Sequence, residues 1–101
     1  MKKETKRVTL RDAIKKELKN SEFKFRFEHE KAIGQIARIV RSARQRAGLT
    51  QAGLARRAGT SQVVIARLES GTDHRIPSLD LLQRIAQALH FQLMISFDMA
   101  A

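Results

Sequence analysis

The side chains best suited to specific recognition lie close together in residues 61–67. The amide of Gln62 can make two hydrogen bonds to adenine, and the guanidinium of Arg67 can make two to guanine. Val63 and Ala66 can contact the methyl group of thymine. In a helix these positions share one face. The segment therefore predicts a surface that reads base pairs, formed by Ser61, Gln62, Val63, Ala66 and Arg67; the alternative is an ordinary solvated helix face.

Side chains for catalysis or metal binding are poorly placed in the sequence. The histidines His29, His74 and His90 are far apart and lack the spacing of metal ligands. Ser70, Asp73 and His74 are close only within one stretch of loop, where a catalytic triad is not expected. Cysteine is absent, as are phosphate-binding and dinucleotide-binding glycine motifs. We expect no enzyme activity, no metal and no cofactor.

The composition favours a small basic protein that binds a polyanion. The chain has 101 residues, and its 20 Lys and Arg against 10 Asp and Glu give a formal charge of +10. One domain is expected from this length. The charge favours nucleic acid or an anionic membrane surface as the partner. No apolar run is long enough to span a membrane, and the first residues lack a signal peptide's apolar region, so we expect a cytoplasmic protein.

The spacing of apolar residues predicts a mainly α fold with five to six helices. A first helix is expected over residues 10–18, ended by Asn20 and Ser21. A second, long helix is predicted over residues 22–47, although the alternating phenylalanines of residues 23–27 also suit a strand.

The remaining sequence is divided by residues that begin and end helices. Helices are predicted over residues 51–58, 62–70 and 79–89. His90 follows the last of them where Gly is common, and we expect a strained or left-handed cap there. Residues 91–97 alternate apolar and polar side chains and predict one β-strand. The expected N-caps are Thr50, Ser61 and Ser78, and the expected stops are Gly48, Gly59 and Gly71.

Two short helices joined by a tight glycine turn in a basic helical domain are typical of a helix-turn-helix motif. The segment GLTQAGLARRAGTSQVVIARLESG, residues 48–71, closely resembles the Cro/repressor (XRE) family of DNA-binding domains. With the flanking helices, the resemblance covers residues 33–90. It implies a helical DNA-binding domain whose second motif helix reads bases in the major groove through residues 61–67.

The same resemblance implies roles for residues outside the reading helix. Gln51 opens the first motif helix, where exposed backbone N–H groups favour phosphate, and Thr60 is a second candidate for DNA phosphate contact. Arg44 and Glu69 match a structural salt bridge of the family; the alternative for Arg44 is a direct contact with DNA. Gly53 departs from the family, which usually has Glu at this position to complete a capping box.

The whole chain resembles HigA-type antitoxins of bacterial toxin–antitoxin pairs. This resemblance implies a repressor of its own operon, associated with the nucleoid, that also neutralises a RelE-like ribonuclease toxin. One alternative is a stand-alone regulator of the XRE family without a toxin. Another, from a different class, is an interaction protein whose basic charge serves solubility or binding to a membrane surface.

The predicted strand gives residues 91–101 a role in dimerisation. A lone strand is unstable in water, and the simplest solution is pairing with the same strand of a second copy, which would place two motifs on a palindromic DNA site. The alternative is a tail docked on the chain's own helices, and Phe91 and Phe97 are expected to be buried either way. The strand residues facing the partner would be Phe91, Leu93, Ile95 and Phe97.

The N-terminal arm, residues 1–31, is not needed to read DNA. Its apolar side chains predict a surface for a protein partner, which the resemblance makes a toxin; the alternative is that the arm covers its own domain or the dimer. The sequence thus predicts three regions: this arm, a DNA-binding domain over residues 32–90, and the C-terminal segment 91–101. The arm's candidate contacts are Leu10, Ile14, Leu18, Phe23 and Phe27.

Overall fold

A computed structural model describes residues 9–99 and shows a mainly α-helical chain. The chain divides into two compact units, residues 1–31 and 32–101. Four helices are present in the described residues: α1 over Leu10–Arg46, α2 over Gln51–Ala58, α3 over Gln62–Ser70 and α4 over Leu79–Ala88.

The helix count of five to six is wrong, because α1 continues through Asn20 and Ser21. Neither residue is a strong helix breaker, since each costs a helix less than about 0.7 kcal/mol relative to Ala. Good helix formers on both sides, mainly Lys and Glu, outweigh that cost. Residues 23–27 are also helical, so their alternating phenylalanines do not form a strand.

The predicted C-terminal β-strand is also not supported, since residues 91–99 form neither a helix nor a strand. A strand needs a neighbouring strand to satisfy its N–H and C=O groups, and none is present among the described residues. The expected burial of the aromatic side chains fails as well. Phe91 is 52% exposed and Phe97 is 99% exposed, whereas Leu93 is partly buried.

Hydroxyl side chains begin the three short helices, as their positions in the sequence predict. Thr50 Oγ1 accepts a hydrogen bond from Gly53 N at 2.9 Å, Ser61 Oγ one from Val64 N at 3.3 Å, and Ser78 Oγ one from Leu81 N at 3.1 Å. Each bond satisfies an N–H group in the first turn that has no partner within the helix. These caps set where the short helices start.

The end of α4 confirms the prediction for His90, which adopts a left-handed conformation with φ of 62°. The His90 N–H donates to Gln87 O at 3.1 Å, and the Phe91 N–H donates to Ala86 O at 2.8 Å. This pair of bonds is the Schellman arrangement, in which glycine usually occupies the left-handed position. The arrangement turns the chain away from the helix axis after Leu89.

The hydrophobic core of the second unit lies between its helices. Leu54 in α2 and Ile65 in α3 are completely buried at its centre. The small side chains Ala55 and Ala58 let α2 approach its neighbours closely, and Ile85 closes the core from α4. The full buried cluster is Val40, Leu54, Ala55, Ala58, Ile65, Leu68, Ile85 and Leu89.

Residues 10–31, the part of α1 that lies in the first unit, contain no buried side chain. Only His29 is partly buried, and its ring lies 5.9 Å from that of Phe25. The helix begins at an N-cap formed by Thr9, whose Oγ1 accepts a hydrogen bond from Asp12 N at 3.1 Å. Helical geometry thus forms here without a core beneath it.

Candidate nucleic-acid interface

The exposed face of α3 carries the side chains that the sequence predicts for reading bases. Gln62, Val63 and Arg67 are exposed, and Ala66 between them is partly buried. The opposite face is anchored, because Ile65, Leu68 and Glu69 are buried. Ser61 lies at the N-terminal end of this exposed face as the helix cap. The backbone of α3 is therefore held by the core while one polar face remains free for a partner.

The turn between α2 and α3 is short and held at several points. Gly59 has φ of 70°, a conformation that favours glycine, and Thr60 N donates to Ala55 O at 2.9 Å. Arg84 reaches from α4 and donates to Gly59 O at 3.2 Å. Its guanidinium is also bonded to Asp80, with Nε 3.0 Å from Oδ2. Arg84 thus ties α4 to the turn that precedes the reading helix, a role that sequence reasoning missed.

A single buried carboxylate links the helices around the motif. Glu69 is 2% exposed, and Arg44 from α1 makes a bidentate pair with it: Nε lies 2.7 Å from Oε2, and Nη2 lies 2.9 Å from Oε1. The remaining terminal nitrogen of Arg44 donates to Leu49 O at 2.7 Å. Two parallel bonds from a planar guanidinium fix both side chains strongly. The pair therefore joins α1, the loop before α2, and the end of α3.

The ionisation of both partners follows from this geometry. Burial by itself raises the pKa of the Glu69 carboxyl, but hydrogen bonds from Arg44 and Gln51 and the charges of Arg44 and Arg41 outweigh it, so the pKa lies below its ordinary value. The hydrogen bond to Glu69 raises the pKa of the Arg44 guanidinium despite partial burial. The two groups are therefore a charged pair throughout the neutral range.

Gln51, the sequence-predicted phosphate contact at the start of α2, bonds to the same carboxylate. Its Nε2 lies 3.2 Å from Glu69 Oε1. Because a carboxylate only accepts hydrogen bonds, the contact sets which end of the amide faces inward. Gln51 is partly exposed, and its amide has a second N–H to offer a ligand. Thr60, the other predicted phosphate contact, is also partly exposed.

Arg41 is a member of this network that sequence reasoning missed. Its Nη2 donates to Glu69 O at 2.9 Å, and its side chain is 53% exposed. The role of Arg41 could have been predicted from its position three residues before Arg44, which places both side chains on one face of α1. Arg41 thus satisfies a carbonyl in the last turn of α3 and also presents positive charge at the surface.

The charge balance of residues 32–99 favours a polyanionic partner. This stretch contains nine arginines, no lysine and four acidic residues. Three of the acids have arginine partners: Glu69 with Arg44, Asp73 with Arg75, and Asp80 with Arg84. Five more arginines than acids remain (9 against 4), so the unit carries a net positive charge. Such a charge attracts nucleic acid from a distance and supplies phosphate contacts.

Two capped helices joined by a tight turn, with the second presenting a polar face beside a net positive surface, define a helix-turn-helix DNA-binding unit. Residues 40–93, more than half of the chain, match the helix-turn-helix family HTH_3. The chain belongs to this XRE-type family, whose members are DNA-binding transcriptional regulators and generally not enzymes. A search of curated proteins finds no match to the chain.

Two further properties concern the described residues as a whole. No helix within residues 9–99 is both long and apolar enough to cross a membrane, since even the 37-residue α1 is rich in charge. Over the same range, no cluster of three or more acidic or histidine side chains has an arrangement that could hold a metal ion.

The five candidate contacts of the arm do not form one surface. At about 100° per residue, Leu10, Ile14 and Leu18 fall along one side of α1, whereas Phe23 and Phe27 fall roughly on the opposite side. All five are exposed by at least half of their surface. The five residues are close together in the sequence, but the continuous helix places the three aliphatic side chains and the two phenylalanines on different sides.

Proposed function

We propose that the protein is a sequence-specific transcriptional repressor that reads double-stranded DNA with the exposed face of α3. Gln62 bonds adenine, Arg67 bonds guanine, and Val63 and Ala66 contact thymine methyl groups in the major groove. Ser61 lies at the end of the helix that enters the groove first. The assignment rests on one observation above all: these side chains line the open face of a helix whose other face is fully packed.

Phosphate contacts at the motif's edge set the position of the reading helix. Gln51 and Thr60 are proposed to bond the DNA backbone, where N–H donors at a helix start favour anions. Support comes from the bond of Gln51 to Glu69, which leaves an amide N–H to donate. We further propose that two copies bind a palindromic operator, because a two-fold protein matches two half-sites.

The antitoxin function is proposed for the arm. A RelE-like toxin would dock on the arm, and its proposed contacts are centred on Phe23 and Phe27, which lie one helical turn apart. Support comes from the exposure of these two rings, 74% and 61%, on a helix segment without a core of its own. Exposed aromatic side chains at this spacing suit a helix docked in a groove of a partner protein.

The DNA-binding proposal is tested by selecting bound sequences from a random duplex pool. We expect a palindromic consensus and tight binding that weakens steeply with salt. Arg57→Ala serves as a control for sequence preference. Arg57 is exposed near the end of α2 and lies outside the predicted reading face, so the selected consensus is expected to stay the same. Binding without any preference for sequence would contradict the proposal.

The toxin proposal needs a separate test. The full chain is co-expressed with the product of a neighbouring small basic reading frame, and co-purification is measured. Phe23→Glu with Phe27→Glu is expected to abolish the complex while the selected DNA is still bound. Complex formation that survives this double change, or the lack of any such neighbour, would favour a stand-alone regulator.

A further inference from the structure

The first 19 residues of α1, Leu10–Glu28, form a helix with every side chain exposed. Helices in proteins owe most of their stability to an apolar face packed against something else. A segment of this kind therefore needs a surface to pack against. The pattern of apolar and charged residues around the helix indicates which surface it packs against.

One stripe along this segment is formed by Ile14, Leu18, Ser21 and Phe25, of which all but Ser21 are apolar. Their spacing of four, three and four residues is the spacing of two-stranded coiled coils. Charged residues border the stripe on both sides: Lys15 and Glu22 on one side, Glu17 and Lys24 on the other. In such pairs of helices the bordering charges select the partner and its direction.

We propose that the stripe is covered by the same stripe of a second copy of this chain, with the two helices antiparallel. In this arrangement Ile14 packs against the second copy's Phe25, and Leu18 packs against its Ser21. The two-fold axis passes between residues 18 and 21, so each contact occurs twice. Arg11 then lies opposite Glu28 at either end of the pair.

The bordering charges favour this direction over the parallel one. With antiparallel helices, Glu17 of one copy lies beside Lys24 of the other, and Lys15 lies beside Glu22. By symmetry these are four attractive pairs. With parallel helices, Glu17 lies beside the second copy's Glu22 instead, and like charges meet. The stripe itself is common to both directions, so charge decides between them.

The pairing leaves Phe23 and Phe27 on the outer side of the helix. A protein partner on those rings and a second copy on the stripe therefore use different faces. The inference depends on neither the toxin nor the operator, and it replaces the C-terminal strand as the source of a dimer.

The role of the bordering charges in dimerisation is tested by measuring the monomer–dimer equilibrium of the full chain by sedimentation over a range of concentrations. Glu17→Lys places two like-charged pairs in the interface, and we expect the dimer to weaken roughly tenfold. Glu17→Lys combined with Lys24→Glu restores opposite charges at an unchanged net charge, so dimerisation is expected to return. Glu17 has no charged neighbour three or four residues away, which keeps its change free of effects within one helix.

A matched control is available for Lys24→Glu alone. Lys16 points away from the stripe and, like Lys24, has an acidic residue four positions away, so Lys16→Glu causes the same change in net charge and also loses one i,i+4 pair within the helix, although it gains an i,i+3 pair with Lys19. We expect Lys24→Glu to weaken the dimer and Lys16→Glu to leave it intact. A chain that stays monomeric, or a dimer indifferent to both Glu17→Lys and Lys24→Glu, would overturn the proposal.

The direction of the helices is tested by cross-linking, which the absence of native cysteine makes clean. Ile14→Cys and Phe25→Cys variants are oxidised separately and as a mixture. Antiparallel pairing gives covalent dimers only in the mixture, because residue 14 meets residue 25. Covalent dimers of either variant alone, or none in the mixture, would refute the antiparallel arrangement.

Discussion

Residues 32–99 and residues 10–31 use charge in different ways. In the first stretch all cations are arginines, and one carboxylate, Glu69, is buried and held by Arg44, Arg41 and Gln51. In the second stretch lysines and acids surround an exposed helix without a buried side chain. A buried charge shapes a fold because leaving it unpaired is very costly, whereas exposed charges mainly choose partners and direction.

The helices of the two regions also differ in the interactions that stabilise them. The short helices α2, α3 and α4 are set by hydroxyl caps and by one shared core. Residues 10–31 have strong helix formers and a cap at Thr9 but contain no buried side chain. The same backbone conformation therefore serves as a rigid platform in one region and as an open binding surface in the other.

The largest expected effect comes from removing the buried carboxylate. Glu69→Ala leaves Arg44 without its bidentate partner and is expected to lower the free energy of unfolding by roughly 3–5 kcal/mol. The equivalent change in the arm, Glu22→Ala measured at low protein concentration, is expected to cost less than about 1 kcal/mol, since Glu22 is exposed. Thermal or urea unfolding measures both changes. Equal effects would contradict the claim that the buried carboxylate stabilises the fold more than the exposed one.

Equivalent apolar truncations test the difference in packing. Leu54 is completely buried, so Leu54→Ala is expected to cost about 2–5 kcal/mol. Leu18 is 60% exposed, and Leu18→Ala measured at low protein concentration should cost under about 1 kcal/mol. A large loss for Leu18→Ala would mean that the arm packs on its own chain.

Arg67→Ala tests the proposed reading face. If Arg67 bonds guanine, the change is expected to cost about 1–3 kcal/mol of binding to the selected site and to relax preference at one base pair per half-site. Titration of the selected duplex and of single-base variants provides the measurement. Uniform weakening on every sequence, with a reduced salt dependence, would instead assign Arg67 to a phosphate.

Acid should destabilise the second unit through Glu69. Its folded-state pKa is lowered, so the carboxylate contributes stability that is present above the unfolded pKa, about 4.3, and is lost as the pH falls through the folded value. We expect the wild type to lose more stability than Glu69→Gln as the pH falls below about 4.5. Parallel pH profiles for the two proteins would show that the pair contributes nothing to this dependence.

The smallest expected effect is at the end of α4. His90→Gly relieves a left-handed conformation but frees the unfolded backbone, so a net gain of about 0.5 kcal/mol is expected. His90→Ala, which keeps a Cβ, should bring no such gain. A rise in melting temperature of about 2–4 °C is the measure, and loss of stability in His90→Gly would show that the imidazole itself contributes.

Much of the motif can be predicted from short stretches of sequence. Thr50, Ser61 and Ser78 are caps because a side-chain hydroxyl reaches an N–H three residues on, a purely local interaction. The left-handed conformation at His90 also follows from its place after a helix end. The two failures have different causes. Ser21 does not end a helix because its neighbours outweigh it, and residues 91–99 form no strand because a strand depends on a partner elsewhere.

Spacing and composition are enough to predict the helix-turn-helix motif, the exposed face of α3 and the basic charge. The tertiary structure adds Arg41 and Gln51 to the Arg44–Glu69 pair that the family resemblance implies, and it adds the bond by which Arg84 holds the turn at Gly59. It also separated Phe23 and Phe27 from the stripe containing Leu18. Periodicity does not predict these hydrogen bonds because they join residues that are distant in the chain, whereas the separation of the phenylalanines from Leu18 follows from the continuity of α1 through Asn20 and Ser21.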